Sequence, residues 1–211
     1  MATIAAGHCL ARTKHRSGLD VQAGGVLIFF TTFMSSTFTS PAKGDSVEMI
    51  ENVTFEELRI GQSAELSRTL AVADVQAFAA VSGDSNPAHL DPAYAMDTPM
   101  HGIVAHGMWS GALISAVFGT ELPGLGTIYL EQNLRFRRPV RIGDTVTVRV
   151  TVRAKDEVKK HVEFDCFVVN QHGETVVTGM GRVLAPVRKL RRPRTHLPTI
   201  KLLEVPYAVA A

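Results

Sequence analysis

The sequence predicts an α+β domain in which an antiparallel β-sheet curls around one buried helix. Residues 107–118, GMWSGALISAVF, are apolar almost all round, which is typical of a helix enclosed by other structure. The segments between residues 126 and 184 alternate apolar and polar positions with short links, as antiparallel strands with one buried face do. Since an apolar helix needs a sheet to cover it, the two patterns together indicate this fold class.

The elements follow from the same patterns in chain order. We expect a strand at 63–71 and then a helix at 72–81 that ends before Gly83. That helix carries on one face Val72, Val75, Phe78 and Ala79. Residues 84–105 are rich in turn formers and too polar for a core element. After the apolar helix, further strands are expected at 126–137, 145–153, 161–169 and 175–184.

Composition narrows the classes of function. The 211 residues carry a net charge of +2, which is too small to indicate a nucleic-acid partner. The two cysteines, Cys9 and Cys166, give neither a disulfide framework nor a zinc spacing, which favours a reducing compartment and a cytoplasmic location. No apolar run reaches the roughly 18–20 residues that span a bilayer, so no membrane partner is expected.

Both ends of the chain differ in character from the domain at 53–185. Residues 1–48 place a short apolar run, GVLIFFTTFM, behind a basic segment. We expect a disordered leader or a start assigned upstream of Met49, with a targeting peptide as the alternative. Residues 186–211 begin PVRKLRRPRTHLP, which is basic and interrupted by prolines, and they predict an exposed linker or tail. Its basic side chains could meet phosphates, although such runs are usually solvated.

The stretch SGDSNPAH, residues 82–89, consists almost wholly of turn formers and has two interpretations. A bend fixed by Pro87 can direct Asp84 and His89 toward one water, as a general acid–base pair. On a regular helix or strand the five-residue spacing would instead separate the two side chains. The alternative is a simple turn, in which Asp84 or Asn86 binds local backbone N–H groups. The fragment alone leaves both interpretations open.

A second candidate is the segment AHGM, residues 105–108, where the apolar helix begins. A helix N-terminus presents free N–H groups and the positive end of the helix dipole. Gly107 could therefore let a substrate carbonyl approach and receive its developing negative charge. The alternative is a glycine needed for close packing. Ser110 and Ser115 lie on the same helix, where a serine usually bonds back to the preceding turn, and Ser115 could orient His89 or the water.

Three motifs occur in order along the domain: FAAVSGDSNPAHLD from Phe78, IVAHGM from Ile103 and LRFRRPVRIGDT from Leu134. Together they resemble the MaoC-like hot-dog family, which includes the (R)-specific enoyl-CoA hydratases. The similarity runs from about residue 55 to residue 184. It implies the hot-dog fold, an antiparallel sheet wrapped around a long central helix. It also implies a homodimer, or a higher homo-oligomer, formed by domains that pair edge to edge.

The resemblance assigns the catalytic aspartate to Asp84, the catalytic histidine to His89 and the oxyanion-hole glycine to Gly107. Its implied substrate is a trans-2-enoyl thioester of coenzyme A, hydrated to the (R)-3-hydroxyacyl product. Asp84 would take a proton from the water while His89 returns one to C2. No metal or redox cofactor is implied, and coenzyme A enters only as part of the substrate. Substrate contacts are expected from Asn86, Ser115, Arg135, Arg137 and Arg138.

Other functions stay open beside this one. The strand YLEQNLRFRRPV and the exit RKLRRPR also resemble the hydratase-like domain that precedes a phosphate acetyl- or butyryltransferase. A non-catalytic acyl-CoA-binding or dimerisation module of a larger acyltransferase assembly is therefore the main alternative. A thioesterase ranks lower, because residues 107–119 lack the acidic residue that such hot-dog enzymes carry. A metal site is disfavoured because its candidate ligands lack a zinc-binding spacing; they are Asp84, His89, His101 and His106.

Overall fold

A five-stranded antiparallel sheet dominates the computed structural model, which describes residues 48–201. In chain order the elements are β1 (Met49–Glu51), β2 (Ser63–Thr69), α1 (Val72–Ser82), α2 (Pro87–Leu90), α3 (Pro92–Asp97), α4 (Gly107–Thr120), β3 (Ile128–Phe136), β4 (Thr145–Asp156), β5 (His161–Asn170), β6 (Thr175–Leu184) and β7 (Arg191–Pro193). The strand order in the large sheet is β2-β4-β5-β6-β3, so β2 and β3 form its edges. The predicted α+β class, the long helix and the run of strands that follows it are confirmed.

One face of the sheet is aliphatic because β4 and β5 alternate strictly. Residues of β4 and β5 that the sequence placed on one face are all 0–1% exposed; they are Val146, Val148, Val150, Val152, Val162, Phe164, Cys166 and Val168. Val150 lies opposite Cys166 in the antiparallel register, so the buried rows of the two strands coincide. Side chains with period two can share one face only in this arrangement. The sheet therefore has one continuous apolar surface.

Helix α4 covers that surface. Its inward side buries Trp109, Ser110, Leu113, Ile114, Val117 and Phe118. Two glycines of β6 make room for it and for the neighbouring strand: a Cβ at Gly181 would lie 2.8 Å from the Phe118 ring, and one at Gly179 would lie 2.0 Å from the carbonyl oxygen of Asn133. The expectation of a helix buried all round is only partly right, because the outward side exposes Ser115 and Met108.

The polar segment 84–105 contains more structure than its composition suggests. It holds the short helices α2 and α3, each beginning with a proline at the first helical position. The Asp91 side chain accepts hydrogen bonds from the backbone N–H groups of Ala93 and Tyr94 and so caps α3. Ala95 of α3 is fully buried, which corrects the prediction that this segment contributes nothing to the core. The predicted apolar face of α1 is less buried than expected, because Val72 is 49% exposed.

The largest departure from the sequence prediction is a second, two-stranded sheet formed by β1 and β7. Met49 pairs with Pro193 and Glu51 with Arg191, so the expected linker is attached to the domain up to residue 193. The missed signal was weak, because each strand has only three residues and β7 is entirely exposed. Part of the basic run is also neutralised by ion pairs, among them Arg191 with Glu51 and Arg194 with Glu48.

Asn52 fastens this second sheet to the domain. Its side chain is 1% exposed, and its Nδ2 donates to the carbonyl oxygens of Leu125 and Arg188 at 3.0 and 2.8 Å. Its Oδ1 accepts the N–H of Leu190 at 2.8 Å. Nearby, the Lys189 ammonium pairs with Glu57, and a backbone N–H bond together with this pair lowers the pKa of Glu57 to about 2. One buried amide thus joins three separate segments.

No helix within residues 48–201 is long and apolar enough to cross a membrane. The predicted leader, residues 1–48, lies outside the described residues except for Glu48, which accepts the backbone N–H of Arg194 at 2.8 Å. The last ten residues of the predicted tail, 202–211, lie outside them as well.

Replacing Asn52 with alanine should destabilise the domain, because two partly buried carbonyl oxygens and one N–H would lose their partner. We expect a loss of about 2–4 kcal/mol in the free energy of unfolding and a fall in Tm of roughly 5–15 °C. Differential scanning calorimetry measures both. The matched control is Gln76→Ala, which removes an exposed amide from α1. Equal Tm values for the Asn52 and Gln76 variants would contradict the fastening role.

Candidate functional site

The site begins in the turn that follows α1. Gly83 ends the helix in the left-handed conformation at φ 74°, and its N–H bonds to the carbonyl oxygen of Ala79. The next residue, Asp84, accepts the backbone N–H of Asn86 on its Oδ1 at 3.1 Å. The Ser82 hydroxyl oxygen accepts the Asp84 N–H at 3.2 Å. These local bonds hold the Asp84 carboxylate on the surface, close to where α2 begins.

Helix α2 then presents His89. Asn86 caps the helix, since its Oδ1 accepts the N–H of Ala88 at 3.1 Å, and Pro87 occupies the first helical position. The Nδ1 of His89 lies 2.8 Å from the carbonyl oxygen of Val104. A carbonyl oxygen only accepts, so Nδ1 carries the hydrogen and Nε2 is the nitrogen left to exchange a proton. The predicted proline bend is therefore a capped helical turn with a fixed imidazole.

His106 brings the pieces of the site together. The residue is 3% exposed and immediately precedes α4. Its Nε2 lies 3.3 Å from the backbone carbonyl oxygen of Asp84, and its ring stacks on that of His89 with centroids 3.9 Å apart and an angle of 30°. Phe78 packs against the His106 ring, with the two ring centroids 5.1 Å apart. One ligand-type atom from each of Asp84, His89 and His106 lies within 4.8 Å of the other two.

The second ring nitrogen of His106 lacks a hydrogen-bond partner among the described residues. This atom, Nδ1, is buried. Leaving a buried polar atom unpaired costs about 1–3 kcal/mol. A histidine at this position therefore makes the fold less stable than a well-packed apolar residue would. Stability alone therefore does not account for the residue.

Gly107 occupies the first position of α4. No side chain of the described residues caps this end of the helix, so its first N–H groups are available to a ligand. A Cβ at Gly107 would lie 3.2 Å from the Phe136 ring, which is tighter than an ordinary contact. The glycine thus keeps the space beside the free N–H groups narrow but open, as an oxyanion site requires.

A cleft of about 290 Å³ opens beside this helix end. Its lining is mainly apolar with two arginines at the rim, and consists of Met100, Ala105, His106, Gly107, Ser110, Phe136, Arg137, Arg138, Pro139, Val140, Val176 and Val177. Asp84 and His89 do not line it. His106 alone belongs both to the cleft and to the Asp84–His89 cluster, within the part of the chain that the structure describes.

The predicted substrate contacts divide into two groups. Arg137 and Arg138 line the cleft, and Arg138 is held by Glu174 at 3.2 Å. Arg135 is exposed on β3 and does not line the cleft. Ser115 is exposed about 12 Å along α4 from Gly107, at 1.5 Å per residue, so within one chain it stands apart from the dyad. Asn86 uses its side-chain oxygen as a helix cap, and its role toward a substrate stays a prediction.

The geometry favours acid–base chemistry over metal binding. Of the four candidate ligands, His101 does not join the cluster, and its Nδ1 lies 3.4 Å from the carbonyl oxygen of Met96. The His89 and His106 rings are stacked, so their in-plane lone pairs do not converge on one point. Each ring also has one nitrogen bonded to a backbone carbonyl.

The sequence patterns did not indicate the apolar lining of the cleft, of which Phe136 is one example, and they gave no sign of the roles of Ser110 and His106. Ser110 is 2% exposed and lines the cleft, although it was interpreted as a back-bonding serine. Phe136 covers Gly107 although its strand gives no sign of it. His106 was considered only as a metal ligand; the available signal was a histidine directly before a helix-starting glycine, where a capping side chain is normal.

Comparison with known proteins places this site in a family. The model of the MaoC-like domain matches residues 55–171. An (R)-specific enoyl-CoA hydratase of Rhodospirillum rubrum is 47% identical over 136 residues, which is 64% of this chain and 92% of that protein. Another (R)-specific enoyl-CoA hydratase, from Aeromonas caviae, is 44% identical over 62% of this chain and 98% of that protein.

Solved structures agree with the predicted hot-dog fold. The unliganded R-hydratase of Pseudomonas aeruginosa matches with a TM-score of 0.70 and 48% identity, over 74% of this chain and 99% of that one. The (R)-hydratase of A. caviae matches with a TM-score of 0.61 over 62% of this chain and 99% of that one. The family model covers more than half of the chain, residues 55–171, and this chain belongs to the MaoC-like family.

Proposed function

We propose that this chain is a hydro-lyase that adds water to trans-2-enoyl-CoA to give (R)-3-hydroxyacyl-CoA, with Asp84, His89 and Gly107 as its catalytic residues. One observation carries the assignment of roles: a carboxylate and a tautomer-fixed imidazole lie within 4.8 Å of each other, beside an uncapped helix N-terminus. The identity of 44–47% to (R)-specific enoyl-CoA hydratases supports the substrate class and the configuration at C3.

In the proposed reaction one water lies between Asp84 and His89. The Asp84 carboxylate takes a proton from the water as its oxygen bonds to C3. The electron pair of the double bond moves toward the thioester carbonyl, whose oxygen receives the N–H of Gly107. The uncapped end of α4 adds its positive dipole to that contact.

C2 then receives the proton that completes the addition. Since the Nδ1–H of His89 is bonded to Val104, the ring delivers from Nε2 and enters the reaction as an imidazolium. The nearby Asp84 carboxylate stabilises that charge. After turnover Asp84 is protonated and His89 neutral, and a proton passes from Asp84 to His89 to restore the starting state. The net change is that one O–H bond of water and the π bond between C2 and C3 are broken, and one C–O and one C–H bond are formed.

The apolar part of the cleft suits the acyl chain, and its arginine rim suits the phosphates of coenzyme A. Met100, Val140 and Val177 supply hydrophobic walls, and Arg137 stands at the opening. Among the described residues Arg137 has no acidic partner, whereas Arg138 is paired with Glu174. A binding or dimerisation module without catalysis remains the competing function, and it would bind the thioester without turnover.

The functional unit that we propose is a homodimer. Strand β3 is an edge of the sheet, so one side of its backbone has no partner strand among residues 48–201. It exposes large apolar side chains: Ile128, Tyr129, Leu130 and Phe136 are 37–55% exposed. Such an edge is normally covered, and a second β3 could continue the sheet across a two-fold axis. We also propose a cytoplasmic location, because Cys166 is a free thiol, as is usual for cysteines in a reducing compartment.

Replacing Asp84 with asparagine or His89 with alanine should lower kcat/KM for crotonyl-CoA hydration by about 10²–10⁴-fold, because each removes one proton-transfer group. The loss of enoyl absorbance measures the rate, and chiral chromatography of the product tests the (R) configuration. Ser85→Ala, in the same exposed turn, is the matched control. A wild-type protein that is stabilised by enoyl-CoA without turnover at any chain length would indicate the binding module. Release of free thiol would indicate a thioesterase.

Replacing Arg137 with alanine should raise KM for crotonyl-CoA about 3- to 10-fold and change kcat by less than about twofold, because the side chain would bind phosphates remote from the reacting carbons. Steady-state kinetics separates the two constants. Arg153→Ala removes an arginine of β4 outside the cleft and should leave both constants unchanged. A fall in kcat at constant KM would contradict the phosphate-binding role.

Light scattering should give a mass near twice the 22.9 kDa of one chain at micromolar concentration. Leu130→Lys places a charge on the β3 edge and should shift the mass toward one chain. Val158→Lys, at a position 92% exposed in the β4–β5 turn, should not. A wild-type mass of one chain would exclude the dimer.

A further inference from the structure

His106 is the one residue that touches every part of the proposed catalytic set. Its Nε2 meets the backbone carbonyl of Asp84, its ring stacks on that of His89, and its own carbonyl precedes the N–H of Gly107. These partners come from two segments of the chain, residues 84–89 and the start of α4. No other described residue is shared by the dyad cluster and the cleft.

The hydrogen bond to Asp84 fixes the tautomer of the ring. The Asp84 carbonyl oxygen only accepts, so the Nε2 of His106 donates and its Nδ1 holds the lone pair. Nδ1 is one of two buried side-chain polar atoms without a hydrogen-bond partner among the described residues, the other being Thr127 Oγ1. An apolar residue of similar size would fill this position without leaving an unpaired polar atom. The histidine therefore contributes something other than stability.

We propose that His106 is a positioning residue that sets the placement of Asp84, His89 and Gly107 relative to one another, an inference that rests on the hydratase function proposed above. The donor at Nε2 holds in place the exposed turn that carries Asp84. The stacked ring limits the tilt of His89 about its bond to Val104. The covalent link to Gly107 ties both to the start of α4.

His106 does not contact the reacting atoms in this scheme. Its Nδ1 has no access to solvent and its Nε2 is already bonded to protein backbone. A change at His106 should therefore act on kcat through misplacement of the dyad and leave substrate affinity nearly intact. Displacement of catalytic groups by about 1 Å costs on the order of 10²-fold in rate.

Three substitutions of His106 distinguish the contribution of its Nε2 donor from that of its stacked ring. His106→Gln can place an amide N–H where Nε2 lies, His106→Asn cannot reach that point, and His106→Phe keeps a stacked ring without a donor. We expect the Asn and Phe variants to lose about 10- to 100-fold in kcat for crotonyl-CoA hydration with KM changed less than about threefold. The Gln variant should recover kcat to within about fivefold of wild type.

Ile114→Ala is the control for loss of stability. It opens a cavity at a fully buried position of α4, away from the dyad. If that variant, with an equal or larger fall in Tm, retains kcat, loss of kcat at His106 does not report general destabilisation. If the Phe variant fails to fold, the comparison of Gln with Asn decides alone. A Gln variant as slow as Asn, or an Asn or Phe variant within about twofold of wild-type kcat, would overturn the positioning role.

The same data distinguish this inference from the function on which it rests. An inactive wild type overturns both. Loss of activity in Asp84→Asn together with full activity in His106→Asn overturns the positioning role and leaves the proposed hydratase site in place.

Discussion

The packing of α4 onto the aliphatic face of the sheet is the constraint on which the rest of the structure depends. Phe118 fits against Gly181, where even a methyl group would lie 2.8 Å from the ring. The helix cannot rotate or slide without losing that fit, because closely packed interiors tolerate few rearrangements. Its first residue, Gly107, is thereby fixed at the cleft. The core thus determines where the helix dipole and the free N–H groups point.

The dyad depends on a second, weaker set of contacts. Asp84 and His89 lie on an exposed turn and a single helical turn, which have little core of their own. Local caps shape this segment, and bonds to the backbone at Val104 and from His106 attach it to the domain. The candidate site therefore combines helix N–H groups that are fixed by the core with a carboxylate and an imidazole that are held by a few polar contacts. Activity should be lost before the fold when these contacts are weakened.

Much of the fold was predictable because its long elements have strong periodicity. β4 alternates without error, and the α4 sequence is apolar on nearly every side, so both were located within a few residues. The β1–β7 pair was not predictable, since three-residue strands carry no period and owe their pairing to Asn52. In the site, the motifs predicted Asp84, His89 and Gly107, and the structure brings the first two together. The role of His106 depends on ring stacking across segments, which spacing in the sequence does not reveal.

The pairing of β1 with β7 has one more consequence. The Arg194 N–H bonds to the Glu48 carbonyl oxygen at 2.8 Å, so the start of β1 and the end of β7 lie side by side. The path of the chain between these residues is nearly a closed ring. A short peptide joining the two positions, with a new opening cut at the exposed turn around His172 and Gly173, would break only bonds of that turn and would keep the strand order of both sheets. The order of the elements along the chain is therefore separable from their arrangement in space.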